Sequence, residues 1–235
     1  MRARALTFSA ALLASSTALA SVTLDASSTV NVFSGVSTMT TNAATAVAAT
    51  AAVVAFNFNG TGQTAVACHL DASTTMTNIG QYTTTRPGYM FAYVGSIAAG
   101  SHTATCSWSS SSASGEAQLA TFAGTDTSSV ANAFSTYNTS NGSASPGSIT
   151  ITNASGNLAL ALYTGYTSNA NSVSGTQIGR ANNITAYAWQ YSLSVNPTLT
   201  VTLSGADTWD MIGVSVMAPA AASPTCLLPL LGVGC

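Results

Sequence analysis

Between Gly100 and Gly124 the chain reads GSHTATCSWSSSSASGEAQLATFAG, two strand patterns joined by a serine-rich loop. In the first, Ala104, Cys106 and Trp108 alternate with Thr103, Thr105 and Ser107. A strand's twofold period sends these two sets to opposite faces, the first toward a core and the hydroxyls away from it. The second, Glu116 to Ala123, is bounded by Gly115 and by the turn-forming Gly124-Thr125-Asp126, and Leu119 and Phe122 supply its bulk.

The rest of the chain repeats this grammar. Val22 and Leu24, then Val30 and Val32, mark short strands after Ser21. Ala43 to Ala52 has helical propensity, but its threonines and its continuation into Val53, Val54, Phe56 and Phe58 favour an extended entry into a strand. After the turn Asn59-Gly60-Thr61-Gly62, the residues Val66, Cys68 and Leu70 alternate with Ala65, Ala67 and His69. Arg86-Pro87-Gly88 breaks the chain before an aromatic face of Tyr89, Phe91 and Tyr93. Asn138 to Gly147 reads as a polar loop, Ile149 and Ile151 as a short strand, and Leu158, Leu160 and Leu162 as another. Thr164 to Gly179 reads as a long Ser/Asn/Gly loop, a kind of segment that often carries function. Tyr187, Trp189 and Tyr191 share a face, Thr198 to Leu203 alternates cleanly, and Trp209 to Met217 closes the pattern with Ile212, Val214 and Val216 inward. The expectation is an all-β fold, an antiparallel β-sandwich of about ten short strands over residues 21–217 as one domain.

Two flanks differ from this body. Residues 1–20 carry Arg2 and Arg4, an apolar run and Ala18-Leu19-Ala20, the form of a secretory signal peptide cleaved at Ala20, and too short and hydroxyl-rich for a membrane span. The expected fate is nevertheless retention as an arm, with Leu6, Phe8, Leu12 and Leu13 buried against the domain or a neighbour, and retention goes with assembly into a particle. Residues 218–235 form a tail in which Pro219, Pro224 and Pro229 interrupt regular structure, and Leu227, Leu228, Leu230 and Leu231 offer assembly contacts.

Charge excludes one class of partner. Only 4% of residues are charged, lysine is absent, and the arginines are Arg2, Arg4, Arg86 and Arg180, so the clustered cations that bind nucleic acid are missing. A surface of Ser, Thr, Asn, Gln and Gly repels its own copies weakly, which suits a protein held in an assembly or outside the cell.

Candidates for chemistry are few. Cys68 and Cys106 lie on strands of one sandwich and are candidates for a disulfide, with Cys226 and Cys235 a second pair in the tail. In reducing cytoplasm all four would remain thiols. His69 and His102 each lie close to a cysteine, but Cys68 and His69 point to opposite faces of a strand, so no metal site and no cofactor are expected. Asp25, Asp71, Glu116, Asp126, Asp207 and Asp210 are scattered singly at turns and strand ends, without a paired-carboxylate arrangement or a Gly-x-Ser-x-Gly nucleophile motif. Tyr187, Trp189 and Tyr191 form the candidate carbohydrate-stacking platform.

The pieces Ser21-Val-Thr-Leu-Asp25, Ala99-Gly-Ser-His-Thr-Ala-Thr105, Leu119-Ala-Thr-Phe-Ala-Gly124 and Trp209-Asp-Met-Ile-Gly-Val-Ser-Val216 follow one another in an order that resembles a jelly-roll-like β-sandwich module recurring in bacterial surface proteins and phage virion proteins. The resemblance implies a presentation or attachment module and supplies no catalytic residue. The function expected is therefore a non-enzymatic structural or display protein of a surface assembly, at a virion surface as a capsid decoration, fibre or tail component. Its partners would be copies of itself or other virion proteins. The alternative is a secreted carbohydrate-binding or adhesive module that meets surface glycans.

Overall fold

The computed structural model of the protein describes residues 21–59, 66–83, 86–109, 113–166 and 169–220. The expected arm contacts Leu6, Phe8, Leu12 and Leu13, the tail contacts Leu227, Leu228, Leu230 and Leu231, and Cys226 and Cys235 lie outside the described residues.

The described chain is nearly all strand. Its first half holds β1 (Thr23–Ser27), β2 (Asn31–Val36), β3 (Thr38–Thr40), β4 (Ala44–Ala46), β5 (Ala51–Asn57), β6 (Ala67–Leu70), β7 (Thr74–Tyr82), β8 (Gly88–Val94), β9 (Gly100–His102), β10 (Ala104–Ser107) and β11 (Ala113–Ala123). A single helical turn, α1 (Val130–Ala133), is capped by the Ser129 hydroxyl accepting the Asn132 N–H. The second half holds β12 (Asn138–Gly142), β13 (Gly147–Thr150), β14 (Leu158–Gly165), β15 (Ala170–Val173), β16 (Thr176–Asn182), β17 (Ala186–Ser192), β18 (Thr198–Leu203) and β19 (Trp209–Val216). No helix among the described residues is long and apolar enough to cross a membrane.

The first half is organised by one curled sheet, ordered β1-β11-β5-β8-β7-β6-β10-β3, with β2 also on β11. The curl has a local cause in β7, whose residues Thr74 to Met76 pair with β6 while Thr77 to Tyr82 pair with β8. At the far side β2 lies on β11 and β3 on β10, so two strands that are consecutive in the chain lie at opposite ends of the curl. The second half stacks a five-stranded sheet, β12-β19-β14-β17-β16, on a three-stranded one, β13-β18-β15. Every pairing is antiparallel.

This stacking gives three cores, and the central strands serve two each. On β5, Ala52, Val54 and Phe56 face the inside of the curl, where Phe33, Phe58, Tyr89, Phe91 and Trp108 also pack, while Ala51, Val53 and Ala55 face the five-stranded sheet. On β14, Leu158, Leu160 and Leu162 meet the curled sheet, while Ala159, Ala161 and Tyr163 meet the three-stranded one. Strand β5 is therefore buried at every position, as are β14 and β19. Burial on both faces explains why AAVVAFN lacks a polar alternate set. In the middle core Trp189, Tyr187 and the leucines of β14 from the second half pack with Phe122, Met90, Ile79 and several alanines and valines of the first. Where β7 and β8 must come closest they use glycine: a Cβ on Gly80 would lie 2.7 Å from Ile212 Cγ2.

The described residues hold nineteen strands in place of about ten. Two expected loops are largely strand: 138–147 contains β12, and 164–179 contains β15 and the start of β16. These are edge strands with polar sequences such as NTSNG and ANSV. An edge strand with both faces partly wet needs no apolar alternation, so the pattern that marks a strand in the core is missing there. The alternation of β10 does hold: Ala104, Cys106 and Trp108 are buried and Thr103, Thr105 and Ser107 are half-buried.

Candidate functional site

The expected aromatic platform is corrected by burial. Tyr187 and Trp189 are fully buried and Tyr191 is half-buried. The three do share a face, as the twofold period requires, but that face of β17 packs against the curled sheet. The Tyr187 hydroxyl donates to the carbonyl of Ala55 (3.4 Å), and burial, with Glu116 nearby, pushes its ionisation well above the usual tyrosine range. No sugar can stack on Tyr187 or Trp189 without opening the middle core.

Cys68 and Cys106 sit directly opposite each other on β6 and β10 and are joined in a disulfide, their Cα atoms 4.1 Å apart. Both sulfurs are thus withdrawn from any metal, and no group of three metal-ligating side chains occurs among the described residues. His69 keeps a buried Nδ1 without a hydrogen-bond partner. His102 spans Asp71 and the Ala98 carbonyl through its two ring nitrogens, at 2.7 and 2.8 Å.

The acids are spent on backbone. Asp25 accepts the N–H groups of Val47 and Ala48 and the hydroxyl of Thr121. Asp71 accepts from Thr103, Asp126 from Ser128, Asp207 from Tyr166 and Asp210 from Arg86. Asp126 closes its own turn, and the others anchor a turn or strand end to another part of the chain.

Two polar clusters stand out. The first surrounds Arg86, which is buried although it begins a turn. Its N–H donates to Asp210 Oδ2 (2.8 Å), its carbonyl accepts the Thr164 hydroxyl (2.9 Å), and its guanidinium donates to Asn59 Oδ1 (2.6 Å). The guanidinium carbon lies 3.5 Å from the centroid of the Tyr166 ring, a cation–π contact that fixes a ring 54% exposed to solvent. Burial lowers the Arg86 pKa, and Tyr166, Asp207 and Asp210 oppose that shift. Burial also pushes the Asp210 carboxyl up to about 6, against the Arg86 N–H and the Tyr82 hydroxyl, which favour its charged form. Ser143, Tyr166, Ala206, Asp207 and Thr208 line a shallow pocket over this cluster. An immobilised aromatic face beside a carboxylate and hydroxyls can hold a polar ligand such as a sugar ring. Asp210, the acid with the raised pKa, is buried and does not line that pocket, so the two carboxylates do not face one bond there.

The second cluster is wholly internal. Asn57, Glu116 and Thr185 come from β5, β11 and the entry to β17, and each is buried. The Asn57 amide donates to Thr185 Oγ1 (2.5 Å), the Thr185 hydroxyl donates to Glu116 Oε2, and the Glu116 main-chain N–H donates to Asn57 Oδ1 (2.8 Å). Glu116 Oε1 accepts the N–H groups of Ile184 and Thr185, at 2.9 and 3.1 Å.

Neither cluster was singled out from sequence. Tyr166 does fall in the segment 164–179 read as a functional loop, and Arg86 begins the break before β8. Glu116 opens a strand run carried by Leu119 and Phe122, and a charged residue in such a run requires a partner if it is buried. No protein-family model, no curated protein and no solved structure matches the chain.

Proposed function

We propose that the chain is a non-enzymatic structural module, exported and displayed in a surface assembly, with the Tyr166 patch as its adhesive contact. The observation that carries this reading is the Cys68–Cys106 bridge, because disulfides form and persist outside the reducing cytoplasm. It agrees with the signal-like form of residues 1–20. The use of the carboxylates as backbone anchors supports a structural rather than a catalytic role. A patch made of Tyr166, Asp207, Thr208 and Ser143 replaces the buried Tyr187 and Trp189 as the candidate contact for glycans.

A virion component, as decoration, fibre or tail protein, is the second reading. The nearly uncharged composition favours it, since permanent contact with neighbours needs no charge repulsion. It requires the bridge to form after release from the cytoplasm.

Intact mass and non-reducing peptide mapping of the natural protein separate the two. A chain starting at Ser21 with Cys68 and Cys106 bridged supports export, and a chain starting at Met1 with free thiols overturns it in favour of the virion. For the adhesive contact, Tyr166→Ala abolishes binding on a glycan array while the urea midpoint falls only by the loss of the Arg86 cation–π contact, about 1 kcal/mol. A parent protein that binds no glycan removes that part of the reading.

A further inference from the structure

We propose that the buried Asn57, Glu116 and Thr185 cluster forms an intramolecular ester, in which the Thr185 hydroxyl displaces ammonia from the Asn57 side-chain amide and so ties β5 to the entry of β17. The inference stands on the cluster alone and does not depend on where the protein is displayed.

Three features of the geometry assign the roles. The nucleophile adjoins the amide: Thr185 Oγ1 accepts the Asn57 Nδ2–H at 2.5 Å, its proton is directed at Glu116 Oε2, and a turn of the Asn57 amide plane presents Cγ to it. The electrophile is polarised, because the Glu116 main-chain N–H donates to Asn57 Oδ1 at 2.8 Å, the oxygen on which negative charge develops when the amide carbon is attacked. The base is fixed, because the N–H groups of Ile184 and Thr185 hold Oε1 and leave Oε2 facing the hydroxyl. Glycine makes this approach possible: a Cβ on Gly115, next to Glu116, would lie 2.0 Å from the Asn57 carbonyl oxygen. All three residues are held within a folded core, so attack is intramolecular and needs no encounter.

The step balances without an oxidant or a second reactant. Glu116 Oε2 takes the Thr185 hydroxyl proton as the Oγ1–Cγ bond forms, and the oxyanion on Asn57 Oδ1 is held by the Glu116 N–H. Glu116 then returns the proton to Nδ2, the C–N bond breaks, and ammonia leaves. The carboxylate is restored, and the protein is lighter by one ammonia. Escape of ammonia into solvent draws the exchange forward, and exclusion of water from the site protects the ester. The cross-link joins residues 128 apart in sequence, one in each of the two halves that pack across the middle core.

Cleavage after Arg180 tests the proposal, since it places Asn57 and Thr185 on different fragments. The folded full chain is denatured, fully reduced and digested with trypsin, and the products are weighed. The expected result is a single linked species one ammonia lighter than the sum of its parts, with tandem mass spectra locating the junction at Asn57 and Thr185. Mild alkaline hydrolysis then separates it and leaves an aspartyl side chain at position 57. Thr185→Val and Glu116→Gln give separate fragments, and Thr185→Ser keeps the link. Separate fragments with an intact Asn57 amide in the parent overturn the proposal, as does an ammonia loss confined to the Asn57 fragment. The parent decides the matter even if a variant fails to fold. Linkage in Glu116→Gln at the parent's level overturns the role given to Glu116.

Discussion

The main-chain carbonyl oxygen of Asn57 stands 2.0 Å from the place a Cβ on Gly115 would occupy. No rotamer change relieves that clash, because the obstacle is the backbone of β5. Gly115→Ala is expected to lower stability by about 3 kcal/mol, through forced separation of β11 from β5. Gly35 is the control: it has a φ of +65° and open space around it, so alanine there meets only left-handed strain of roughly 1–2 kcal/mol. Urea midpoints of the two variants at unchanged slope check the ordering.

Trp189→Ala is expected to destabilise the protein by about 3–5 kcal/mol, the cost of a large cavity in a core. The ring is fully buried in the middle core, and its indole N–H has no partner among the described residues. Trp189→Phe therefore loses packing but no hydrogen bond and falls well short of that loss. Tyr191→Ala, at a half-buried ring, costs less than either. Denaturant titration of the three variants gives the order.

Stability is expected to fall as pH rises from about 4 to 6, and again as it rises through the raised His102 value. Asp210 carries a folded-state pKa raised by burial from 3.8 to about 6, so the native state binds that proton more tightly than the unfolded chain and loses ground as pH climbs between the two values. His102 is also raised, chiefly by its hydrogen bond to Asp71, with the Ala98 carbonyl contributing. Its contribution is complete below the ordinary histidine value of 6.5 and is lost as pH rises through the folded value. Asp126, held below the usual carboxylate range by Ser128, acts in the opposite sense and loses its contribution only as pH falls through that lowered value. Asp210→Asn flattens the lower part of the urea midpoint profile and His102→Gln the upper part. A midpoint that climbs through this window in the parent contradicts the assignment.

Removing the Cys68–Cys106 bridge is expected to cost about 4 kcal/mol, the chain-entropy value for a closed loop of this size, the cysteines being 38 residues apart. Cys68→Ala with Cys106→Ala leaves two small apolar side chains at a buried cross-strand pair, so packing losses stay small beside the entropy term. Denaturation with and without reductant checks this, the double variant being insensitive to reductant.

Period-two alternation made β10, β18 and the shared face of β17 legible, because each has one set of residues that must be buried. What alternation cannot say is which face is wet when a strand lies between two layers, and Tyr187 and Trp189 show the consequence. Both faces of β17 are covered, the aromatic one by the curled sheet and the Ala186 and Ala188 one by the three-stranded sheet. The polar edges β12 and β15 escaped notice for the opposite reason, having no buried set to alternate. The clusters around Arg86 and Glu116 depend on partners far along the chain: Arg86 meets Asp210 across 124 residues and Glu116 meets Thr185 across 69. Nothing local in the sequence encodes such meetings.

The placement of β2 and β3 at the two ends of the curled sheet bears on edge-to-edge pairing in a chain with so little charge. A sheet that ends on free backbone offers other copies a template for strand addition, and proteins commonly deter this with lysine, which this chain lacks. Here the same continuous segment covers β11 on one side and β10 on the other. Among the described residues the other sheet ends are short or bulged: β1 is five residues long and bulged, β12 is five long, β13 is four long, β15 is four long and bulged, and β16 carries a bulge between Gln177 and Gly179. The path of the chain is thus expected to limit strand addition at these edges in place of the lysines it lacks.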